Sequence, residues 1–205
     1  MPYRLYGIPA GLYPGKARSY LRKQAINFID VAPGSSFFQE HVLPGVGRWI
    51  NPVLETPEGL LIQDTVDIID HFERGPAQNL VRCPAYPATP VHLAVSHVFE
   101  MFGGEGLLRP AMHYRWNFDE ENLDFIKSEF ALCFPKDFTQ EQVDAVFDNA
   151  SHRLRQTTVN VGVTPETARL IEAAFGEWLG LFSAHLEDHQ YLLGGHATLG
   201  DYGLM

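Results

Sequence analysis

The sequence is poor in cysteine, in positive charge and in long apolar runs, and each shortage excludes something. The two cysteines, Cys83 and Cys133, stand far apart with no metal-ligand spacing. They read as reduced thiols of a cytoplasmic protein. Fifteen Lys and Arg against 25 Asp and Glu leave a net charge of −10, which argues against nucleic acid as the main partner. No apolar run approaches the ~20 residues of a membrane-spanning helix. Charged and polar side chains interrupt residues 1–25 throughout, so neither a membrane nor a secretion signal is expected. Internal repeats and low-complexity tracts are also missing.

What remains is globular. At 205 residues, 45% hydrophobic and 20% charged, the chain holds one large or two small domains with a packed core. Its charge is uneven. Residues 1–54 carry Arg4, Lys16, Arg18, Arg22, Lys23 and Arg48 against Asp30 and Glu40, a balance of +4, so the remainder carries −14. A cationic first quarter suits a small anionic ligand; it equally suits a solvated basic helix face at 16–23.

The order of elements follows from periodicity and punctuation. Tyr3–Ile8 alternates and predicts a strand; Pro9–Pro14 predicts a loop, and Gly15–Gln24 a helix with Ala17, Tyr20 and Leu21 inward. Asn27–Val31 predicts a second strand, parallel to the first by the crossover rule. Residues 33–47 are poorly periodic and predict at most a short irregular helix. Pro84, Pro87 and Pro90 then mark a linker, and everything beyond reads as helix. The predicted helices are Val91–Met101, broken at Gly103–Gly106, then Leu107–Trp116, Asn122–Phe134 and Thr139–Arg155. A last long helix opens at Thr164–Pro165 and runs to about His189. It should bury Leu170, Ala174, Phe175, Trp178, Leu181, Phe182 and Leu186.

One stretch organises the chemistry. Asn51–Pro52 precedes the apolar pair Val53–Leu54. Pro57 and Gly59 punctuate a turn, and Leu60–Leu61–Ile62 follows, which predicts a β-hairpin. Asp64–Thr65 then opens a helix with Val66, Ile68, Ile69 and Phe72 on one face. Such a helix start presents unpaired N–H groups and a positive dipole end to an anion. Caps of this kind are also common without any ligand. Near the end, Tyr191–Leu192–Leu193–Gly194–Gly195 and Thr198–Leu199–Gly200–Asp201 form a turn and a capping box.

Together, Asn51–Phe72 and Tyr191–Tyr202 resemble the glutathione transferase family. The resemblance implies an α/β thioredoxin-like domain followed by an all-α helical domain. The first spans residues 1–77, the linker 78–88 and the helical domain 89–205, the last ending one turn into a helix that the family continues. It implies a cis bond at Asn51–Pro52, with the Asn51 backbone pairing the cysteinyl part of glutathione. Thr65 would hold the γ-glutamyl carboxylate, Asp64 its ammonium, and Arg48, ahead of Trp49, the glycyl carboxylate. Leu12, Arg109, His113 and Trp116 would line the pocket of a second, electrophilic substrate. Glutathione is then the co-substrate, no metal is called for, and a cytoplasmic homodimer is the implied assembly.

One thing the family needs is missing. The glutathione thiol is activated by a Tyr late in the first strand or by a Ser or Cys in the following loop, and Pro9–Pro14 has neither Ser nor Cys. Tyr13 and Tyr6 are the remaining candidates for a donor that lowers the thiol pKa. Tyr6 also fits a core strand tyrosine, and backbone N–H groups at the helix start could serve instead. The functions left open are conjugation to a small electrophile, a non-catalytic glutathione-binding scaffold, and a specialised glutathione-dependent lyase. A cysteine-based reductase is disfavoured. Two outlying features complete the reading. Gly103–Gly106 lacks phosphate-loop spacing and reads as a helix break. His185 and His189 are spaced like a metal pair but lack a third ligand.

Overall fold

The computed structural model describes residues 1–204, in two compact units: Met1–Pro84 with Lys127–Asp144, and Ala85–Ile126 with Ala145–Leu204. In the first, β1 (Tyr3–Tyr6), α1 (Leu12–Lys23) and β2 (Phe28–Val31) form a β-α-β unit, and β1 and β2 pair in parallel. A π-type turn at Phe38–Val42 and a short α2 (Leu43–Val46) lead to the hairpin β3 (Val53–Glu55) and β4 (Leu61–Gln63), followed by α3 (Thr65–Glu73). The sheet order is β2-β1-β3-β4, with β3 antiparallel to both of its neighbours, β1 and β4. This is the thioredoxin-like arrangement expected from the element order.

Both faces of the sheet are covered, because side chains alternate along each strand. Tyr6 lies opposite Val53 and packs with Phe38 and Val42 on one face. Leu5 lies opposite Leu54 on the other. There Tyr3 meets Phe72 of α3 at 5.2 Å, and Phe72 meets Tyr20 of α1 at 6.0 Å. Ile68, Ile69 and Leu21 are buried with them. Each such aliphatic side chain contributes about 1.5–3 kcal/mol when fully buried. A polar clamp ties the two helices together, with the Tyr20 hydroxyl donating to Glu73 at 2.8 Å. Gln24, fully buried, donates to the Cys83 carbonyl and accepts the N–H groups of Arg82 and Cys83.

The second unit contains α4 (Pro90–Met101), a π-type turn at Phe102–Gly106 and α5 (Leu108–Trp116). The Gly-rich break is thus a local change of helix pitch. α6 (Asp119–Ala131) and α7 (Gln140–Asn160) contribute all but the segment Lys127–Asp144 to this unit, and α8 (Ala168–Asp188) and α9 (Leu199–Gly203) complete it. Gly203 lies so close to α4 that a Cβ there would stand 2.7 Å from the Glu100 Cα. The Gly200 N–H donates to the Ser96 hydroxyl at 2.9 Å. Asp201 accepts the Thr198 N–H at 2.7 Å, as the capping pattern predicted, and also the Leu192 N–H at 2.8 Å.

Two sequence expectations need correction. α1 begins at Leu12, three residues before the predicted start, because a proline in the first helical turn forfeits an N–H that has no intrahelical acceptor anyway. α8 begins at Ala168, and none of its residues is buried: Leu170 is 71% exposed and Leu181 67%. Periodicity identifies the apolar face of a helix and is silent about what covers it.

Candidate functional site

The candidate site is built on the turn from β1 into α1. The Gly7 N–H donates to the Val31 carbonyl at 3.2 Å and the Gly11 N–H to the Ile8 carbonyl at 3.0 Å. Glycine is required at Gly11, where a Cβ would stand 2.8 Å from the Pro14 Cγ. Gly11 is also the N-cap of α1 and offers no side chain to it. Leu12 and Tyr13 are the first two residues of this helix. The Tyr13 side chain is exposed, and the Lys16 Nζ lies 5.3 Å from its ring centroid.

α3 starts against this turn. Asp64 is its N-cap, exposed, and accepts the Val66 N–H at 2.9 Å. Its φ of 75° is a conformation few non-glycine residues adopt. Thr65 is buried, and its hydroxyl donates to the Tyr13 carbonyl at 3.3 Å. The structure thus brings Thr65 and Tyr13 together, although 52 residues separate them. The Asn51–Pro52 bond is cis, with Pro52 buried and Asn51 half-buried. Arg48 is exposed, and its Nε donates to the Gln63 side chain of β4 at 3.2 Å.

Tyr6 sits elsewhere in this chemistry. It is fully buried, stacks near Phe37 and Phe38, and its hydroxyl donates to Glu55 at 2.7 Å. Burial first, and then the neighbouring Glu55, push its pKa well above that of a free phenol. Its proton is directed at a carboxylate.

Arg109, His113 and Trp116 all lie on α5, in the second unit. Arg109 is exposed and donates from Nε to the Val161 carbonyl at 2.9 Å. It also edges a groove of ≈ 370 Å³ lined by Phe102, Phe175 and Trp178. His113 is buried between Glu172, 2.9 Å from Nε2, and Asn117, 2.8 Å from Nδ1. Trp116 is buried, with the Arg155 guanidinium 5.0 Å from its ring. The His185 Nε2 lies 3.0 Å from the Leu192 carbonyl. Among the described residues no group of three metal-donor side chains occurs.

Two residues near the turn escaped the sequence reading. Lys16 is buried despite its charge. Glu129, from the last turns of α6, accepts the Ala10 N–H at 2.8 Å. The Lys16-Ala17-Arg18 pattern was legible as a helix; nothing local marks Glu129.

No protein-family model matches the sequence, and no curated protein matches it. Solved structures do. The β-etherase LigF of Sphingobium sp. strain SYK-6 aligns with a TM-score of 0.64 at 17% identity, over 99% of this chain and 81% of that one. A glutathione S-transferase of Ceriporiopsis subvermispora, in complex with glutathione, gives 0.64 at 17% identity over 99% and 82%. The chain has the glutathione transferase fold. FzlA of C. crescentus shares that fold too, with a TM-score of 0.54 at 18% identity over 99% of this chain and 75% of that one. At these identities the likeness shows the fold and leaves ligand and reaction to the site.

Proposed function

We propose that the protein binds glutathione on its first unit and transfers the thiolate to a small electrophile. The observation that carries this reading is the Thr65 hydroxyl donating to the Tyr13 carbonyl. It joins the anion-binding start of α3 to the start of α1, so one tripeptide can reach both. Asp64 and Thr65 take the γ-glutamyl end, where a carboxylate suits an ammonium and a helix start suits a carboxylate. Asn51 and Pro52 face the cysteinyl backbone. Arg48 takes the glycyl carboxylate, its fork of donors matching two oxygens. The thiol then lies at the first turn of α1, where the helix dipole favours a thiolate. Tyr13 is the side-chain donor of choice, since the Tyr6 proton is committed to Glu55. Leu12 would border the electrophile, and catalysis would come from the lowered thiol pKa and from positioning.

A second reading is favoured by a specific observation: Pro9–Pro14 has neither Ser nor Cys. A scaffold that binds glutathione without turning it over would keep the anchors and lose the activator. A glutathione-dependent lyase is a third reading, in keeping with the fold's use in a β-etherase. Calorimetry with glutathione and with γ-glutamylcysteine, followed by turnover of a generic aryl halide, separates these. Binding with turnover that slows in Tyr13→Phe supports the transferase. Binding without turnover of any electrophile or thioether supports the scaffold, and no binding overturns all three. Weaker binding of γ-glutamylcysteine, equalised in Arg48→Ala, supports Arg48 as the glycyl anchor.

A further inference from the structure

The positive charge of α1 is only partly a solvated helix face. Arg22 and Lys23 are exposed, whereas Lys16 and Arg18 are buried. Arg18 is 8% exposed, and two contacts fix its guanidinium. Its Nε donates to both carboxylate oxygens of Asp30, at 2.8 and 3.1 Å. Its Nη1 donates to the Pro9 carbonyl at 3.4 Å. The remaining nitrogen, Nη2, makes no hydrogen bond to a described residue and reaches accessible space. Arg22 follows one turn later. Its guanidinium stands 3.9 Å from the same Asp30 oxygen that Arg18 holds, beyond hydrogen-bond reach. One carboxylate thus brings two guanidinium groups together and leaves each with unused donors.

Both arginines line a cavity of ≈ 500 Å³ that belongs wholly to the first unit. Gly7, Pro9, Asp30, Val31, Ala32 and Leu132 complete its lining. It lies at the carboxyl ends of the parallel strands β1 and β2, where the Gly7 N–H meets the Val31 carbonyl at 3.2 Å. Chains turn away into loops beyond such strand ends and leave a crevice that open α/β sheets use for ligands. None of Arg48, Asn51, Asp64 and Thr65 borders this cavity, so it stands independently of the glutathione reading.

Charge and shape define the occupant. Two guanidinium groups against one carboxylate leave a single positive charge on the lining. Glu129, a neighbouring carboxylate, accepts the Ala10 N–H and does not line the cavity. Guanidinium groups only donate, and their planar fork matches the oxygens of phosphate or carboxylate. A carboxylate has two oxygens, which one fork satisfies; a phosphate monoester has three terminal oxygens, enough for both arginines. The volume falls within the roughly 300–1,000 Å³ of small-molecule sites, more than an inorganic ion fills. Pro9, Val31, Ala32 and Leu132 offer the rest of it an apolar lining. We propose that this cavity is a second small-molecule site, which takes a phosphate monoester on Arg18 and Arg22 and the apolar body of the same molecule against Val31, Ala32 and Leu132.

Calorimetry at neutral pH and low salt, with phenyl phosphate, inorganic phosphate, benzoate and benzamidine as probes, tests the site. Phenyl phosphate is expected to bind about tenfold or more tighter than inorganic phosphate, because the ring leaves water, and tighter than benzoate; benzamidine is expected not to bind. Arg18 is held by two partners and its loss would disturb folding, so exposed Arg22 and Asp30 carry the variants. Arg22→Ala is expected to weaken phenyl phosphate about tenfold, the scale of a lost hydrogen bond between charged groups. Lys23→Ala, on the same helix but outside the lining, is expected to change it less than about twofold. Asp30→Asn keeps an acceptor for Arg18 and removes the opposing charge, so it is expected to tighten phenyl phosphate about threefold or more, which a damaged fold would not do. Absence of phenyl phosphate binding overturns the proposal, as do equal affinity for inorganic phosphate or benzoate, binding of benzamidine, and Asp30→Asn that binds no tighter. An Arg22→Ala protein of unchanged affinity, or one weakened no more than Lys23→Ala, overturns it too.

Discussion

The Tyr6 hydroxyl and the Arg4 guanidinium share one oxygen of Glu55, at 2.7 and 3.1 Å. β1 and β3 place Arg4 directly opposite Glu55 and Tyr6 one pleat away on the same face. Tyr6 thereby satisfies a half-buried carboxylate.

Replacing Tyr6 with phenylalanine removes a hydrogen bond to a charged group. The expected cost is about 1.5–3 kcal/mol of folding stability, read from the shift of a urea unfolding curve at constant slope. Glutathione affinity and the thiol pKa should stay at the unmodified values. A Tyr6→Phe protein of full stability and raised thiol pKa would move the activator role from Tyr13 to Tyr6.

Thr65 carries a different load. Its hydroxyl is anchored on the Tyr13 carbonyl, and its N–H belongs to the first turn of α3. Thr65→Ala is expected to weaken glutathione binding by about 1–2 kcal/mol, the scale of one hydrogen bond to an ionised group. Asp64→Ala should lose comparable affinity, because the ammonium loses its counter-charge. Calorimetry that finds both variants unchanged would remove the start of α3 from the site.

His71 makes folding sensitive to acid. Its ring centroid lies 6.1 Å from Tyr3 and 5.0 Å from Phe72, and among the described residues its buried Nε2 has no hydrogen-bond partner. Burial lowers its pKa from the ordinary 6.5, with Glu58 pulling the other way. The folded protein therefore favours the neutral ring, and the unfolded chain takes up the proton first as pH falls. The stabilisation is fully present above pH 6.5 and is lost as pH drops through the lower folded value. The urea midpoint should fall between about pH 7 and about pH 5, and that fall should shrink in His71→Leu. An equal fall in both proteins would assign the acid sensitivity to other groups.

The hairpin, the start of α3 and the Thr198–Asp201 capping box were all legible in the sequence. Each is written in contiguous residues, through turn punctuation, alternation and a cap whose donor and acceptor lie within four positions. The order of strands and helices up to Phe72 was legible for the same reason, and with it the thioredoxin-like half of the fold. The start of α1 was misread because a proline marks the end of a loop and the first turn of a helix equally well.

Tertiary structure alone decided which groups meet at the turn before α1. Glu129 reaches Ala10, Thr65 reaches Tyr13, and Glu55 captures the Tyr6 hydroxyl, over separations of 119, 52 and 49 residues. No periodicity encodes such pairings, since they depend on strand register and on where distant helices end. The same holds for α8, whose apolar stripe the sequence displays and whose exposure it does not. A side chain's chemistry is local to its residue; its acceptor, its burial and hence its pKa belong to the whole packed chain.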